Sequence, residues 1–290
     1  MAEQSENYVA LLGTKGGPAI RPGSTMPTSS LLKLSHQTAV VDCGLGVTRG
    51  LIDQGMQLKD IELIFITHLH SDHYLELGPL LHTAWTAGLQ TPVTIYGPDG
   101  LVNYWLAFLQ SMKADIDLRI DNEGRPDLAG LVTIKTIEAG EVFSCDAFNV
   151  TAMRNIHPPL IDTFALSFKS NMHHVVFSGD TAYLPELAGF AKNADLLIHE
   201  AMLQEALGPL MKRIGNADDR LMQHWLRSHT YAHDVAKIAS SAKVGALALH
   251  HLLPSDDPDF TEQHWRTSVE EHWSGTLHVG KDGLRIDLQS

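Results

Sequence analysis

The segment Thr67-His68-Leu69-His70-Ser71-Asp72-His73 constrains this chain more than any other. It follows a continuous apolar run at 61–66, which reads as a buried strand. Within six positions it carries four ligand-type side chains, His68, His70, Asp72 and His73. Residues two apart in an extended chain share a face, so His68 and His70 project the same way. Asp72 and His73 then fall at the turn into a following helix and can address a second centre. Imidazole nitrogens mixed with carboxylate oxygens suit borderline divalent metals such as zinc. A lone histidine is more often a packing residue than a ligand. Four such groups after a buried strand reverse that judgement, and the segment predicts a site for two metal ions.

The same pattern recurs along the chain. Apolar runs at 8–12, 30–34, 38–41, 93–96, 148–153, 164–169, 174–177, 196–198 and 245–249 read as strands. His157 follows the run at 148–153, Asp180 the run at 174–177 and His251 the run at 245–249. Ligands gather beyond the carboxyl ends of strands in α/β sheets, and strand ends are rigid supports. Gly179 beside Asp180 lets the backbone approach closely. Residues 75–88, 101–112 and 232–242 read as helices, and 276–287 as terminal strands. Hairpins come first and strand–helix alternation later, which predicts an α+β chain with two mixed sheets face to face and helices outside. The segment 202–228 has helical propensity and is expected to cap the site. No repeat divides the sequence, so 1–290 is read as one domain.

Composition removes some function classes. A formal charge of −13 opposes phosphate-backbone binding, which draws mainly on lysine and arginine, and leaves room only for a local basic patch. Cys43 and Cys145 are too few and too far apart for a disulfide framework or a thiolate zinc site. The first residues, Met1 to Glu6, lack the pattern of a signal peptide, and no apolar run has the length of a membrane span. A cytoplasmic location is expected, or a periplasmic one for a chain that has lost its leader. Of the 17 histidines, His173, His174, His199, His224 and His233 have no ligand register and read as packing or surface residues. His82 and His224, beside Trp85 and Trp225, are the expected pocket-lining exceptions. Tyr183 and Trp85 are candidates for apolar pocket walls.

The motif T-H-L-H-S-D-H, taken with His157, Asp180 and His251, resembles the metallo-β-lactamase superfamily, and most nearly its ribonuclease Z and arylsulfatase-like branch. Leu197-Ile198-His199-Glu200-Ala201 is similar to that branch's L-x-H-E-A segment, and His229-Thr230-Tyr231-Ala232 to its H-S-T-A segment. The resemblance spans roughly the whole chain and implies a four-layer αββα sandwich. It implies that His68, His70 and His157 hold one metal, that Asp72, His73 and His251 hold the other, and that Asp180 bridges them. His251 rather than His250 is the implied ligand, with His250 facing the other way. His229, assisted by Glu200, would match the proton donor to the leaving group, and Asp72 would accept or orient the proton of the attacking water.

The implied activity is hydrolysis by a hydroxide bridging two divalent ions, Zn2+ by expectation, with Mn2+ or Fe as alternatives. The ribonuclease Z arm that grips tRNA is an insertion between the ligands matching His157 and Asp180. That interval is short here. Together with the acidic charge this favours a small-molecule ester substrate, a phosphodiester or an aryl sulfate, and disfavours nucleic acid as partner, while the resemblance itself implies a homodimer. A carbonyl hydrolase of lactonase or β-lactamase type, a tRNA 3′-processing endonuclease and a non-enzymatic metal-binding interaction protein remain as alternatives.

Overall fold

The computed structural model describes residues 6–215 and 218–289. The first five residues, and residues 216 and 217 of the expected helical cap, lie outside the described residues. Fourteen strands are described: β1 Tyr8–Gly13, β2 Ser29–Leu34, β3 Gln37–Cys43, β4 Leu63–Phe65, β5 Val93–Gly97, β6 Val132–Thr136, β7 Gly140–Ser144, β8 Asn149–Arg154, β9 Phe164–Lys169, β10 His174–Phe177, β11 Leu196–Met202, β12 Ala246–Leu253, β13 Thr276–Val279 and β14 Leu284–Asp287. The α-helices are α1 Val47–Asp53, α2 Ser71–Tyr74, α3 Leu77–Thr86, α4 Leu101–Glu123, α5 Leu128–Leu131, α6 Leu187–Phe190, α7 Leu207–Ile214, α8 Asp219–Ser228, α9 Ala232–Ala242 and α10 Glu262–Glu270.

The strands form two seven-stranded mixed sheets, ordered β14-β1-β2-β3-β4-β5-β6 and β13-β12-β11-β10-β9-β8-β7. Each sheet has an antiparallel part and a parallel part. β3, β4, β5 and β6 run parallel in the first sheet, and β10, β11, β12 and β13 in the second. The period-two alternation of side chains divides the core. Val9, Leu11, Val41 and Phe65 meet Phe164, Leu166, Phe177 and Ile198 between the sheets. Their neighbours Ala10, Leu12, Val40 and Ile64 turn outward beneath α1, α3 and α4. On the far side Val176, Leu197 and Leu247 pack under α9 and α10. Strands apolar on both faces must be covered on both, and the four-layer αββα sandwich does so.

Helix boundaries depart from the sequence reading in two places. The helix expected at 75–88 is α3, Leu77–Thr86, but a separate short helix, α2, precedes it, and Glu76 between them binds the backbone N–H groups of Gly46 and Thr48 at the start of α1. The helix expected at 101–112 continues to Glu123. Its second half is held on the solvent side by ion pairs Lys113–Asp117 and Arg119–Glu123, and it ends at Gly124 with φ +67°.

Candidate metal centre

Because β3, β4, β10, β11 and β12 end on the same side, Asp42, Thr67, Asp180, Glu200 and His251 emerge together. Beyond β4 the chain stays extended through His70, whose φ is −89° and ψ 142°, and then enters α2 with Asp72 and His73 in its first turn. The Asp42 carboxylate accepts from the backbone and hydroxyl of Thr67 and holds His73 Nδ1 at 2.8 Å. Such a carboxylate–imidazole pair fixes ring orientation and tautomer at metal sites. At Gly179, φ is +57° and an added Cβ would stand 2.5 Å from the Phe164 carbonyl oxygen, so the expected close approach is real.

The donor atoms form two groups. In the first, His70 Nδ1 lies 3.2 Å from His68 Nε2 and 2.9 Å from His157 Nε2. In the second, Asp72 Oδ2 lies 3.3 Å from His251 Nε2 and 3.7 Å from His73 Nε2. Asp180 Oδ2 stands between them, 3.6 and 3.8 Å from His68 and His157 and 3.4 and 3.1 Å from His73 and His251. Nitrogen and oxygen ligands around a tetrahedral zinc sit about 3.3 Å from one another. His73 Nε2 and Asp180 Oδ1 are buried and lack a hydrogen-bond partner among the described residues. Buried polar atoms of that kind carry a free-energy cost unless something else satisfies them. Burial pushes His157 down to about 3 and His68 well below its ordinary range, so both imidazoles are neutral and available as ligands. Spacing and unpartnered donor atoms fit divalent metal, and in the first group the neutral His68 and His157 fit it as well.

His229 and Glu200 lie beside these groups. His229 Nδ1 is 3.0 Å from Glu200 Oε2, which leaves Nε2 as its other polar atom. Glu200 is fixed by the backbone N–H of Thr181 at 2.8 Å. Burial raises the Glu200 carboxyl and lowers the His229 imidazole. His250 is turned away, with Nε2 2.8 Å from the Gly13 carbonyl oxygen, as the sequence reading expected.

The groups open on a cleft of about 320 Å³. One wall is the glycine-rich loop after β1, with Lys15 and Arg21. The facing wall is α7 and α8, with Leu210, Leu221, His224 and Trp225. His224 thus lines the cleft, its ring centroid 5.8 Å from those of His70 and His157. The other expected lining residues do not reach it. His82 pairs with Asp115 at 2.9 Å, Trp85 is buried among α3 and α4, and Tyr183 stands 43% exposed elsewhere.

Three contributors escaped the sequence reading. Asp42 is a single carboxylate at a strand end, with only the following Cys43-Gly44 as a signal. The Ser228 carbonyl oxygen, 2.8 Å from His157 Nδ1, has no side-chain signature at all. Gly17 donates its backbone N–H to Asp72 Oδ2 at 2.9 Å, and an added Cβ at Gly16 would touch the His251 ring at 3.0 Å. The G-x-x-G-G pattern of that loop was its visible trace.

Known proteins share this fold. A ribonuclease Z of Mycobacterium bovis is 29% identical over 284 residues, covering 97% of this chain and 98% of that protein. The metallo-β-lactamase fold protein YhfI of Bacillus subtilis superposes with a TM-score of 0.71 at 20% identity, over 97% of this chain and 99% of that one. Human tRNase Z, short form, gives 0.68 at 21% identity, over 98% of this chain and 100% of that one. These relatives correct the expectation of a small-molecule ester partner with nucleic acid disfavoured. The mycobacterial ribonuclease Z is matched over nearly its whole length, so a short His157–Asp180 interval does not set this chain apart from a protein of that name. Net charge misled for a second reason: Lys15 and Arg21 stand at the cleft although the whole chain carries −13. Among the described residues no helix is long and apolar enough to cross a membrane. The family model described as anti-Pycsar protein Apyc1 matches residues 9–214, well over half of the sequence. By fold and by that match, the chain is a metal-dependent hydrolase of the metallo-β-lactamase superfamily and belongs to the Apyc1 family.

Proposed function

We propose that this chain is a two-metal phosphodiesterase that cuts RNA in the manner of a ribonuclease Z. The observation that carries the proposal is Asp180 Oδ2 standing between two donor groups, with a histidine–carboxylate pair beside them on one cleft. Full-length similarity to proteins named ribonuclease Z supports RNA as the substrate. In this reading His68, His70 and His157 hold one ion, Asp72, His73 and His251 the other, and Asp180 both. Bound there, a pair of divalent ions, Zn2+ by expectation, supplies Lewis acidity to the phosphodiester and acidifies a water.

The protein's own groups do the rest. Asp72 is held by the N–H of Gly17 and orients the attacking water or takes its proton. Glu200 anchors Nδ1 of His229, so that Nε2 delivers a proton to the departing oxygen as general acid. Lys15 and Arg21 attract the anionic substrate to a chain that is acidic overall. Residues 1–290 act as one domain, with 202–228 as its helical cap, and a cytoplasmic site of action belongs to the same reading.

The test uses purified protein of known metal content. Precursor tRNA with a 3′ extension is incubated beside bis-p-nitrophenyl phosphate. Endonucleolytic cleavage of the RNA is expected. Protein that holds two ions per chain and hydrolyses the small diester, yet leaves the RNA intact, would overturn the reading.

A further inference from the structure

β13 is an edge strand of the second sheet and β14 an edge strand of the first, so residues 280–283 carry the chain from one sheet to the other. That turn is seated against both. The Gly280 N–H donates to the Leu249 carbonyl oxygen at 2.9 Å, and the Gly283 N–H to the Leu11 carbonyl oxygen at 2.7 Å. A Cβ added at Gly280 would stand 2.5 Å from the Leu249 carbonyl oxygen and 3.2 Å from Thr14 Cγ2. Asp282 lies between these glycines, and its carboxylate serves a segment far away in sequence. Oδ1 accepts from the backbone N–H of Thr14 at 3.0 Å and from the Thr14 hydroxyl at 2.9 Å, and Oδ2 accepts from the backbone N–H of Met26 at 2.7 Å. Hydrogen bonds to an ionised acceptor are stronger than neutral ones. Asp282 is exposed, but Thr14, which it holds, is fully buried.

Thr14 and Met26 are the two ends of the loop that walls the cleft. The Lys15 N–H donates to the Met26 carbonyl oxygen at 2.9 Å and closes the neck of that loop. Beside His251, the Leu252 N–H donates to the Thr14 carbonyl oxygen at 2.8 Å, and the Gly16 N–H to the Leu252 carbonyl oxygen at 3.1 Å. Gly17 comes next, with its N–H 2.9 Å from Asp72 Oδ2. Its φ is +83°, and among the described residues nothing lies within 4 Å of the place a Cβ would take. A glycine so free of packing does not fix its own backbone. The direction of the Gly17 N–H is therefore imposed from the neck of the loop, by Leu252 and by Asp282.

We propose that Asp282 is a positioning residue for the metal centre: by holding both ends of loop 14–26, the crossing turn keeps the Gly17 N–H on Asp72 and tightens binding of the ion held by Asp72, His73 and His251. The inference rests on the reading that those three residues hold an ion. Outer hydrogen bonds orient the ligands of a metal, and their loss lowers its affinity about 10- to 100-fold. The other donor group is oriented from elsewhere, His157 by the Ser228 carbonyl oxygen at 2.8 Å, so the effect falls on one ion of the two.

Two measurements on the full chain test this role. Hydrogen exchange at the Gly17 amide, followed by NMR in metal-free protein, should speed about tenfold in Asp282→Ala. Zinc titration by calorimetry should find one ion bound about tenfold weaker and the other unchanged, with the ring signals of His251 and His157 showing that the weakened ion is the one at His251. Asp282→Asn keeps an acceptor for Thr14 but turns an amide toward the Met26 N–H, and it should fall between Asp282→Ala and the unaltered chain. It decides the matter should Asp282→Ala fail to fold. Unchanged affinity for both ions would overturn the proposal, whatever the exchange rate. Equal weakening of both ions would overturn it too, as the mark of general loosening. An unaltered protein that takes up no zinc would sink the metal reading itself, whereas two ions bound alike by altered and unaltered chains would sink the role of Asp282 alone.

Discussion

The two walls of the cleft are built on opposite principles. The strand-end side, from Asp42 and Thr67 to Asp180 and His251, is buried, and its side chains are fixed by one another and by backbone groups. The helical side, α7 and α8, stands on a small apolar cluster, Met202, Leu207, Leu210, Trp225 and Leu253, separate from the cores between and beneath the sheets. Chemistry that needs donor atoms held to a few tenths of an ångström sits on the first wall. Contact with the rest of the ligand falls to the second, which has few buried neighbours and can adapt at low cost.

Three experiments break or sharpen that contrast. The largest effect is expected on the rigid side. Asp180→Ala removes the carboxylate between four imidazoles, and both metal content and turnover should collapse, the latter by more than about a thousandfold. Metal analysis that still finds two ions, with normal turnover, would contradict the assignment. His229 lies at the seam, immediately after α8. His229→Ala should leave the ions in place and slow cleavage about 100- to 10,000-fold, most for poor leaving groups. Equal slowing across a series of leaving groups would deny it the proton-donor role. On the helical side, Leu210→Ala should cost about 2–5 kcal/mol locally. It should speed proteolysis within 203–228 while the protein, at saturating metal, still holds two ions. Loss of the ions would mean that the two walls are one unit.

The contrast also explains what could be read in advance. The seven donors were legible because each ligand-type residue follows an apolar run that has no other reason to end in histidine or aspartate. Glu200 and His229 needed the resemblance, since one glutamate within β11 and one histidine after α8 have no spacing that links them. Asp42 and the Ser228 carbonyl stayed hidden because they hold the His73 and His157 rings in place and do not join the donor groups themselves, and a carbonyl carries no letter of sequence. β6 and β7 were missed for a different reason. VTIKT and GEVFS lie at sheet edges, half exposed, without the continuous apolar character of the inner strands. The second half of α4 was missed because its support is ionic and on the solvent side, where apolar periodicity fades. Net charge, finally, is a sum over the surface, and the cleft is a local matter.

The hydrogen bond from His157 Nδ1 to the Ser228 carbonyl joins the two walls, and it has a thermodynamic consequence. The imidazole is oriented by the last turn of α8, so order in that helix and occupancy by the first ion are linked equilibria. Linkage is reciprocal: if a settled helix end raises the affinity for the ion by some factor, the ion stabilises the helix end by the same factor. A ligand that packs against Trp225 would then tighten metal binding without touching the metal, and metal removal would loosen the recognition wall before it loosened the sheets.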